Sequence, residues 1–177
     1  MRLEKFLSDR KSAILSRWFD RTIETYPEET ARFLKSKKNR FANPVGNILS
    51  RELESIFGGL FQGIDLNTIR PCLDNIIRIR AVQEISASQA VAFMFLLKEV
   101  IREELAQEIQ ENRIGQELLE LESRIDQLTL LSFDIFMLCR EKIYDLKANE
   151  INNRTIRVLK RAKLVVEDPL ETEPTKF

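Results

Sequence analysis

Apolar residues in the first part of the chain recur at three- and four-residue steps, which is the spacing of an amphipathic helix. This pattern predicts a first helix that is interrupted near Ser8 and ends at Tyr26, because the proline that follows disfavours the α conformation at Tyr26. A second, short helix should run through about Leu34. The apolar positions of the first helix are Leu3, Phe6, Leu7, Ile14, Leu15, Trp18, Phe19 and Ile23.

Three further helices are predicted in the middle of the chain. Asn43 followed by Pro44 marks a helix start, since the Asn side chain can cap the helix and proline fits its first turn. The next helix should become regular only from Pro71 onward. The third follows a cap at Ser86 or Ser88 and is apolar on nearly all sides at its start, so we expect it in the centre of the core. Its apolar residues are Val91, Phe93, Met94, Phe95, Leu96, Leu97, Val100, Ile101 and Leu105.

Residues 114–165 are predicted to form one or two very long helices. Apolar positions there alternate steps of three and four, as expected where two helices supercoil around each other. After about residue 146 the pattern is less regular, which favours a projecting helix or a swapped arm. The regular positions are Leu118, Leu121, Ile125, Leu128, Ser132, Ile135 and Cys139.

Composition agrees with an all-α fold. Only 5 Gly and 5 Pro interrupt long stretches of residues that lose little entropy on entering a helix. A length of 177 residues suits one domain with an appended element. We predict a single helical domain over residues 1–146, a helical extension over residues 147–165, and an acidic, flexible tail over residues 166–177.

Charge and apolar content bear on location and partners. The 28 basic and 28 acidic side chains cancel, so no global positive field attracts nucleic acid or an anionic membrane. The N-terminus carries no apolar signal-peptide core, and the apolar run at residues 90–97 is far shorter than the about 20 residues that a bilayer requires. Cys72 and Cys139 have no redox or metal-ligand spacing, which fits ordinary buried thiols in a reducing compartment. We therefore predict a cytoplasmic protein that binds neither nucleic acid nor a membrane.

The chain contains no histidine, which removes the commonest general base and metal ligand. The sequence also lacks a glycine-rich phosphate loop, a nucleophile elbow and a metal-ligand cluster. We therefore predict no enzyme activity, no cofactor and no metal. Solvated helix faces explain the clustered carboxylates better than a metal site does, and these carboxylates are Glu103, Glu104, Glu117, Glu120 and Glu122.

Three sets of residues are candidate sites, each with a structural alternative. Arg78, Arg80 and Arg102 could bind an anion, because arginine offers a planar fork of donors, but an ion-pair network between helices is the favoured interpretation. A basic stretch of the last helix could touch nucleic acid or a membrane surface, or it could pair with the acidic residues 99–122 of a neighbour; it contains Lys147, Arg154, Arg157, Lys160, Arg161 and Lys163. Six phenylalanines could line an apolar ligand pocket, although core packing is the stronger expectation, and these are Phe57, Phe61, Phe93, Phe95, Phe133 and Phe136.

Several segments spread over most of residues 12–140 share a resemblance to one family. They are Ser16-Arg-Trp-Phe19 with Tyr26-Pro27, Phe41-Ala-Asn-Pro-Val-Gly46, Ile79-Arg-Ala-Val-Gln83, and Ser88-Gln-Ala-Val-Ala-Phe93 with Leu97-Lys-Glu99. The chain thereby resembles the N-terminal domain of the RsbRD-type co-antagonists of RsbT, relatives of the stressosome sensor RsbR. This resemblance implies a helical sensory input module, similar to the non-haem globin domain of RsbR and usually placed before a STAS domain that engages a kinase.

The resemblance also implies that two copies pair through their terminal helices, which agrees with the three-and-four spacing described above. We predict a homodimer whose interface contains Leu118, Leu121, Ile125, Leu128 and Ile135. Even in a globin-like fold, haem binding through a proximal histidine is excluded, because the chain has none. Since the sequence ends after its long helix, we expect a stand-alone relative that lacks a STAS domain.

The leading hypothesis is a non-enzymatic regulatory or sensory domain that acts through protein–protein contacts. Its partners would be a second copy of the chain and an unidentified regulatory or metabolic protein. The alternative is a structural adaptor that docks onto a metabolic or redox protein complex without sensing a signal. Thermal-shift measurements distinguish the two, because a sensor gains stability with its ligand whereas an adaptor responds only to a protein partner.

Overall fold

The computed structural model describes residues 2–35, 43–60, 66–83, 85–112 and 114–164. Every regular element in these ranges is an α-helix, which confirms the predicted all-α fold. In chain order the helices are α1 (Arg2–Asp9), α2 (Lys11–Glu24), α3 (Glu28–Lys35), α4 (Pro44–Gly59), α5 (Leu66–Ala81), α6 (Ala87–Glu104), α7 (Ala106–Asn112) and α8 (Gly115–Arg161).

The first two helices meet where the sequence predicted an interruption. α1 ends at Asp9 and α2 begins at Lys11. α2 buries Ile14, Trp18 and Ile23, and it packs on α6 and α4. The apolar stripe of the N-terminal segment therefore belongs to the core of the chain.

Asn43 joins the end of α3 to the start of α4. Its side-chain oxygen accepts a hydrogen bond of 2.9 Å from the Gly46 amide, which confirms the predicted helix cap. Its side-chain nitrogen donates to the carbonyl oxygen of Leu34 at 2.7 Å. A Cβ atom on Gly46 would lie 2.8 Å from that same carbonyl, so the close approach of the two helix ends requires glycine.

α4 and α5 pack directly against each other. A Cβ atom on Gly59 would lie 2.7 Å from Cδ1 of Ile69, so this glycine permits the close helix approach, whereas Gly58 faces open space. The prediction that α5 becomes regular only at Pro71 is wrong, because the helix already begins at Leu66. Proline removes one backbone donor from the helix, and the packing of α5 against α4 compensates for that loss.

α6 has the central position that its apolar composition predicted. Ser86 and Gln89 form a capping box, in which each side chain bonds the backbone amide of the other residue. The buried residues of the helix are Ala90, Val91, Phe93, Met94, Leu97, Val100 and Ile101. Not every apolar residue of the helix is buried, since Phe95 is 48% exposed.

α8 is one continuous helix, and it takes part in two compact units, Met1–Arg140 and Glu141–Phe177. In the first unit, ion pairs from Lys98 to Asp126 and from Arg102 to Glu122 link α6 to α8. The five residues predicted to form the dimer interface are buried in the core of this unit. These side chains thus pack within a single chain, and their role in a dimer stays a prediction; the five residues are Leu118, Leu121, Ile125, Leu128 and Ile135.

The second unit is described from residue 141 to residue 164. Most of its side chains are exposed, and Ile143 and Leu159 are half-buried. The tail that was predicted to be flexible, residues 166–177, lies outside the described residues. Within the described ranges, no helix has both the length and the apolar character needed to cross a membrane.

Candidate functional site

An arginine lies in the core of the first unit, at the end of α5. Buried residues of this helix recur at Ile69, Leu73, Ile76 and Ile77, and Arg80 occupies the next position of the same stripe. Its side chain is directed inward by that register, and the residue is only 1% exposed. The spacing in the sequence was the signal that Arg80, unlike its neighbour Arg78, would be buried.

Arg80 is held by two aromatic rings and two oxygen acceptors. Its guanidinium carbon lies 4.9 Å from the ring centroid of Tyr26 and 5.9 Å from that of Phe93. Nη2 donates to Oγ1 of Thr25 and to the carbonyl oxygen of Gln89, both at 2.9 Å. The rings attract the positive charge through their π faces, and the two acceptors fix one edge of the guanidinium.

Trp18 completes this arrangement from α2. Its ring is stacked on that of Phe93, with centroids 6.3 Å apart and an angle of 15° between the planes. Its indole nitrogen donates to the carbonyl oxygen of Phe93 at 2.6 Å. We call Arg80, its four contact residues and Trp18 the Arg80 cluster, and its six members are Trp18, Thr25, Tyr26, Arg80, Gln89 and Phe93.

Three polar atoms of the Arg80 cluster are buried without a hydrogen-bond partner. They are Nε and Nη1 of Arg80 and the hydroxyl oxygen of Tyr26. Each unsatisfied buried group costs about 1–3 kcal/mol. Burial raises the pKa of the Tyr26 phenol, and the neighbouring positive charge of Arg80 offsets part of that rise. The phenol is therefore neutral at physiological pH and can donate a hydrogen bond.

The other two arginines of the predicted anion site have partners. Arg78 forms an ion pair with Asp74 at 2.5 Å, one helical turn away. Nε and Nη2 of Arg102 donate to the two carboxylate oxygens of Glu122 at 2.5 and 2.8 Å. The ion-pair interpretation thus holds for Arg78 and Arg102, and the three arginines do not form one site. Among the described residues, no carboxylate forms an ion pair with Arg80.

Several of the segments on which the family resemblance rests meet at this cluster. Trp18, Tyr26, Arg80, Gln89 and Phe93 all come from them. The family model of the RsbT co-antagonist protein rsbRD N-terminal domain matches residues 12–151. The chain belongs to this family. It is a family of stressosome-related sensory domains, and no curated protein and no solved structure matches the chain.

The five described phenylalanines of the predicted pocket in this RsbRD-type domain are divided between the core and the surface. Phe57, Phe93 and Phe136 are buried in the core, whereas Phe95 and Phe133 are 48% and 41% exposed. Phe61 lies outside the described residues. A small cleft elsewhere in the first unit contains none of them, and it is lined by Leu3, Glu4, Leu7, Leu60, Glu117, Glu120, Leu121 and Arg124.

The carboxylates of the RsbRD-type domain are dispersed among different partners. Glu103 and Glu104 pair with Arg17, and Glu117 accepts a hydrogen bond from the Leu3 amide. Within the described ranges, no group of His, Cys, Asp and Glu side chains could hold a metal ion. These glutamates therefore connect helices of the domain to one another.

Cys72 is a poor candidate for a nucleophile. Burial, followed by the neighbouring carboxylate of Glu52, raises the pKa of its thiol to about 11, so the thiol is protonated at neutral pH. Neither Cys72 nor Cys139 forms a disulfide, and both are half-buried, so they are less buried than the sequence suggested. Although burial of Glu52 opposes ionisation, hydrogen bonds from Arg51, Cys72 and Asn75 lower the pKa of this carboxyl.

The last part of α8 carries an exposed apolar stripe. Tyr144, Ile151 and Val158 follow one another at seven-residue intervals and are 57%, 63% and 64% exposed. The same interval in the sequence reaches back to Leu130 and Met137, which are exposed in the first unit. We call Tyr144, Ile151 and Val158 the α8 stripe. The basic residues predicted on this helix are exposed as well, namely Lys147, Arg154, Arg157, Lys160, Arg161 and Lys163.

Proposed function

We propose that the chain is a non-enzymatic sensory input domain that acts through protein–protein contacts. The observation that carries the proposal is the exposed α8 stripe, because it presents three large side chains to solvent at the heptad spacing of helices that pair. Membership of a stressosome-related sensory family supports it. Cys72 and Cys139 do not form a disulfide, which is in line with a cytoplasmic location.

The first partner of the α8 stripe in this proposal is a second copy of the chain. Two identical helices can bury such a stripe against each other, because a twofold axis makes each surface complementary to itself. We place the dimer interface at the exposed residues Tyr144, Ile151 and Val158, whereas the sequence-based prediction placed it at residues that are buried. A regulatory or metabolic protein would be a further partner, and neither nucleic acid nor a membrane is required.

Signalling would proceed as a shift between two packings of the helices. A hydrogen bond connects the Arg80 cluster to α8, since Nη1 of Arg140 donates to the carbonyl oxygen of Ala81 at 3.0 Å. Ala81 is the residue next to Arg80 at the end of α5. A change at the Arg80 cluster therefore has a short covalent and hydrogen-bonded route to α8.

Sedimentation equilibrium at micromolar concentration tests the pairing. We expect a dimer for the wild-type chain and at least a tenfold weaker association for Ile151→Glu, because the new charge would have to be buried in the interface. Asn149→Glu is the matched control, since Asn149 is exposed on the opposite side of the same helix and should leave association unchanged. A wild-type chain that sediments as a monomer would refute the homodimer.

The adaptor alternative differs from this proposal in its use of the core. An adaptor could also use the α8 stripe, but it has no need of a buried arginine with unsatisfied donors. Thermal-shift measurements with small ligands separate the two functions, because only a sensor should gain stability from a ligand that binds the domain itself.

A further inference from the structure

We propose that the Arg80 cluster is a binding site for one small anion, such as a halide, nitrate or a short carboxylate. This inference deepens the proposed sensory function by naming the class of ligand, and it rests on that function only for what binding would signal. It depends on three features of the cluster: a buried charge with no ion-pair partner among the described residues, donors of that charged group that are unsatisfied, and the depth at which the group is buried.

The first feature is the charge. An arginine keeps its proton inside proteins, so burial cannot neutralise it as it can neutralise a lysine. The other charged residues that are buried in the first unit have partners of opposite charge: Glu52 has Arg51, and Glu122 has Arg102. Arg80 is the most deeply buried of these three residues, and its contacts among the described residues are with ring faces and neutral oxygens.

The second feature is the set of unused donors. Nε of Arg80 carries one N–H bond and Nη1 carries two, and none of the three has an acceptor. The Tyr26 hydroxyl is also without a partner and belongs to the same cluster. Ring faces attract the guanidinium charge but do not replace acceptors for N–H bonds that lie in its plane. An anion would supply both the missing charge and the missing acceptors.

The third feature is burial, which limits the size of the ligand. Trp18, Tyr26, Arg80 and Phe93 are all at least 95% buried, so a nucleotide or a phosphorylated sugar would have to displace the core. An anion of one to four heavy atoms needs a far smaller opening. Arg80 itself lies two residues before Val82, which follows the end of α5 and is highly exposed.

Trp18 provides a direct measurement, because it is the single tryptophan of the chain and belongs to the cluster. The full chain is titrated with sodium chloride, nitrate and formate at constant ionic strength, with the bulky anion gluconate as the balancing salt. We expect a saturable change in Trp18 fluorescence and a parallel rise in melting temperature for at least one small anion. A linear response, or equal responses to small anions and to gluconate, would overturn the proposal.

Three variants locate the binding. Arg80→Met should weaken binding about tenfold or more, and Tyr26→Phe about fivefold, because each removes donors to the ligand. Tyr26→Phe keeps the ring under the guanidinium and therefore remains informative if Arg80→Met does not fold. Arg78→Met is the matched control on the same helix, since Arg78 is exposed, and its binding should equal that of the wild type. Unchanged binding in both cluster variants would refute the assignment.

A carboxylate of the chain itself is the competing occupant, and Glu84 is the nearest in sequence, although it lies outside the described residues. If Glu84→Gln binds anions as the wild type does, the proposal is supported. If Glu84→Gln binds anions and the wild type does not, the Glu84 carboxylate occupies the site in the wild type and the proposal fails. Sedimentation of the same samples reports dimer formation separately, so a failure of anion binding is distinguishable from a failure of pairing.

Discussion

The two parts of α8 carry similar apolar patterns and have different surroundings. In the first unit the apolar positions with three-and-four spacing from Leu118 to Leu128, together with Ile135, are buried, whereas Tyr144, Ile151 and Val158 are exposed in the second unit. Apolar residues at three-and-four or seven-residue spacing indicate that one face of a helix packs against a partner. The spacing does not indicate whether that partner is the rest of the same chain or another molecule.

The largest effect should separate these two parts of α8. Ile125→Ala removes a fully buried side chain and should lower the free energy of unfolding by about 2–5 kcal/mol. Ile151→Ala should change it by less than about 0.5 kcal/mol, because Ile151 makes little packing contact within the chain. Urea denaturation at protein concentrations low enough to give monomers measures both. Equal losses would show that the second part of α8 is packed as well.

The two units should also differ in how the loss of a carboxylate affects stability at different pH values, because Glu52 in the first unit is buried. Glu52→Gln should lose about 1 kcal/mol at pH 7, because hydrogen bonds from Arg51 and Asn75 favour the charged form. Since the folded state lowers the pKa of Glu52 below its ordinary value of 4.5, this contribution is present above that pH and is lost as the pH falls further.

The measurement for Glu52 is the unfolding free energy of wild type and variant between pH 7 and pH 3, and the two curves should converge at the acidic end. Glu150→Gln is the control from the second unit, where the carboxylate is exposed. A difference between wild type and Glu52→Gln that stays constant over this range would mean that the charge of Glu52 contributes nothing.

Removal of one partner of an ion pair should give the smallest difference in unfolding free energy between the two units. Arg102→Met leaves Glu122 buried without its partner and should cost about 0.5–1 kcal/mol, a modest amount because Arg102 is itself half exposed. Arg154→Met breaks an exposed pair with Glu150 and should have no measurable effect. Thermal unfolding in low and high salt checks both, and a salt-sensitive loss in Arg154→Met would contradict the prediction.

Local features of the fold were well predicted by local chemistry. The caps at Asn43 and Ser86 and the interruption between α1 and α2 follow from the residues on either side. The start of α5 was predicted too late, because packing against α4 overrides the preference of Pro71. Predictions thus held where neighbouring residues decide the conformation.

The candidate site was harder to predict than the fold. Arg78, Arg80 and Arg102 are the same residue type in similar sequence surroundings, yet two have carboxylate partners and one lies between aromatic rings. The register of α5 could have singled out Arg80, because it continues the stripe of Leu73, Ile76 and Ile77. The sequence around the phenylalanines offered no such signal. Packing between helices decides which of the described phenylalanines lie in the core and which lie on the surface.

The sequence by itself determined that this chain is helical, that its apolar α6 lies in the core, and that histidine chemistry is excluded. It also identified the segments that place the chain in its family. Tertiary structure decided which apolar face of α8 is covered and which arginine is left without a counter-charge. The physical reason is that helix formation depends on residues a few positions apart, whereas burial and charge pairing depend on residues far apart in the sequence.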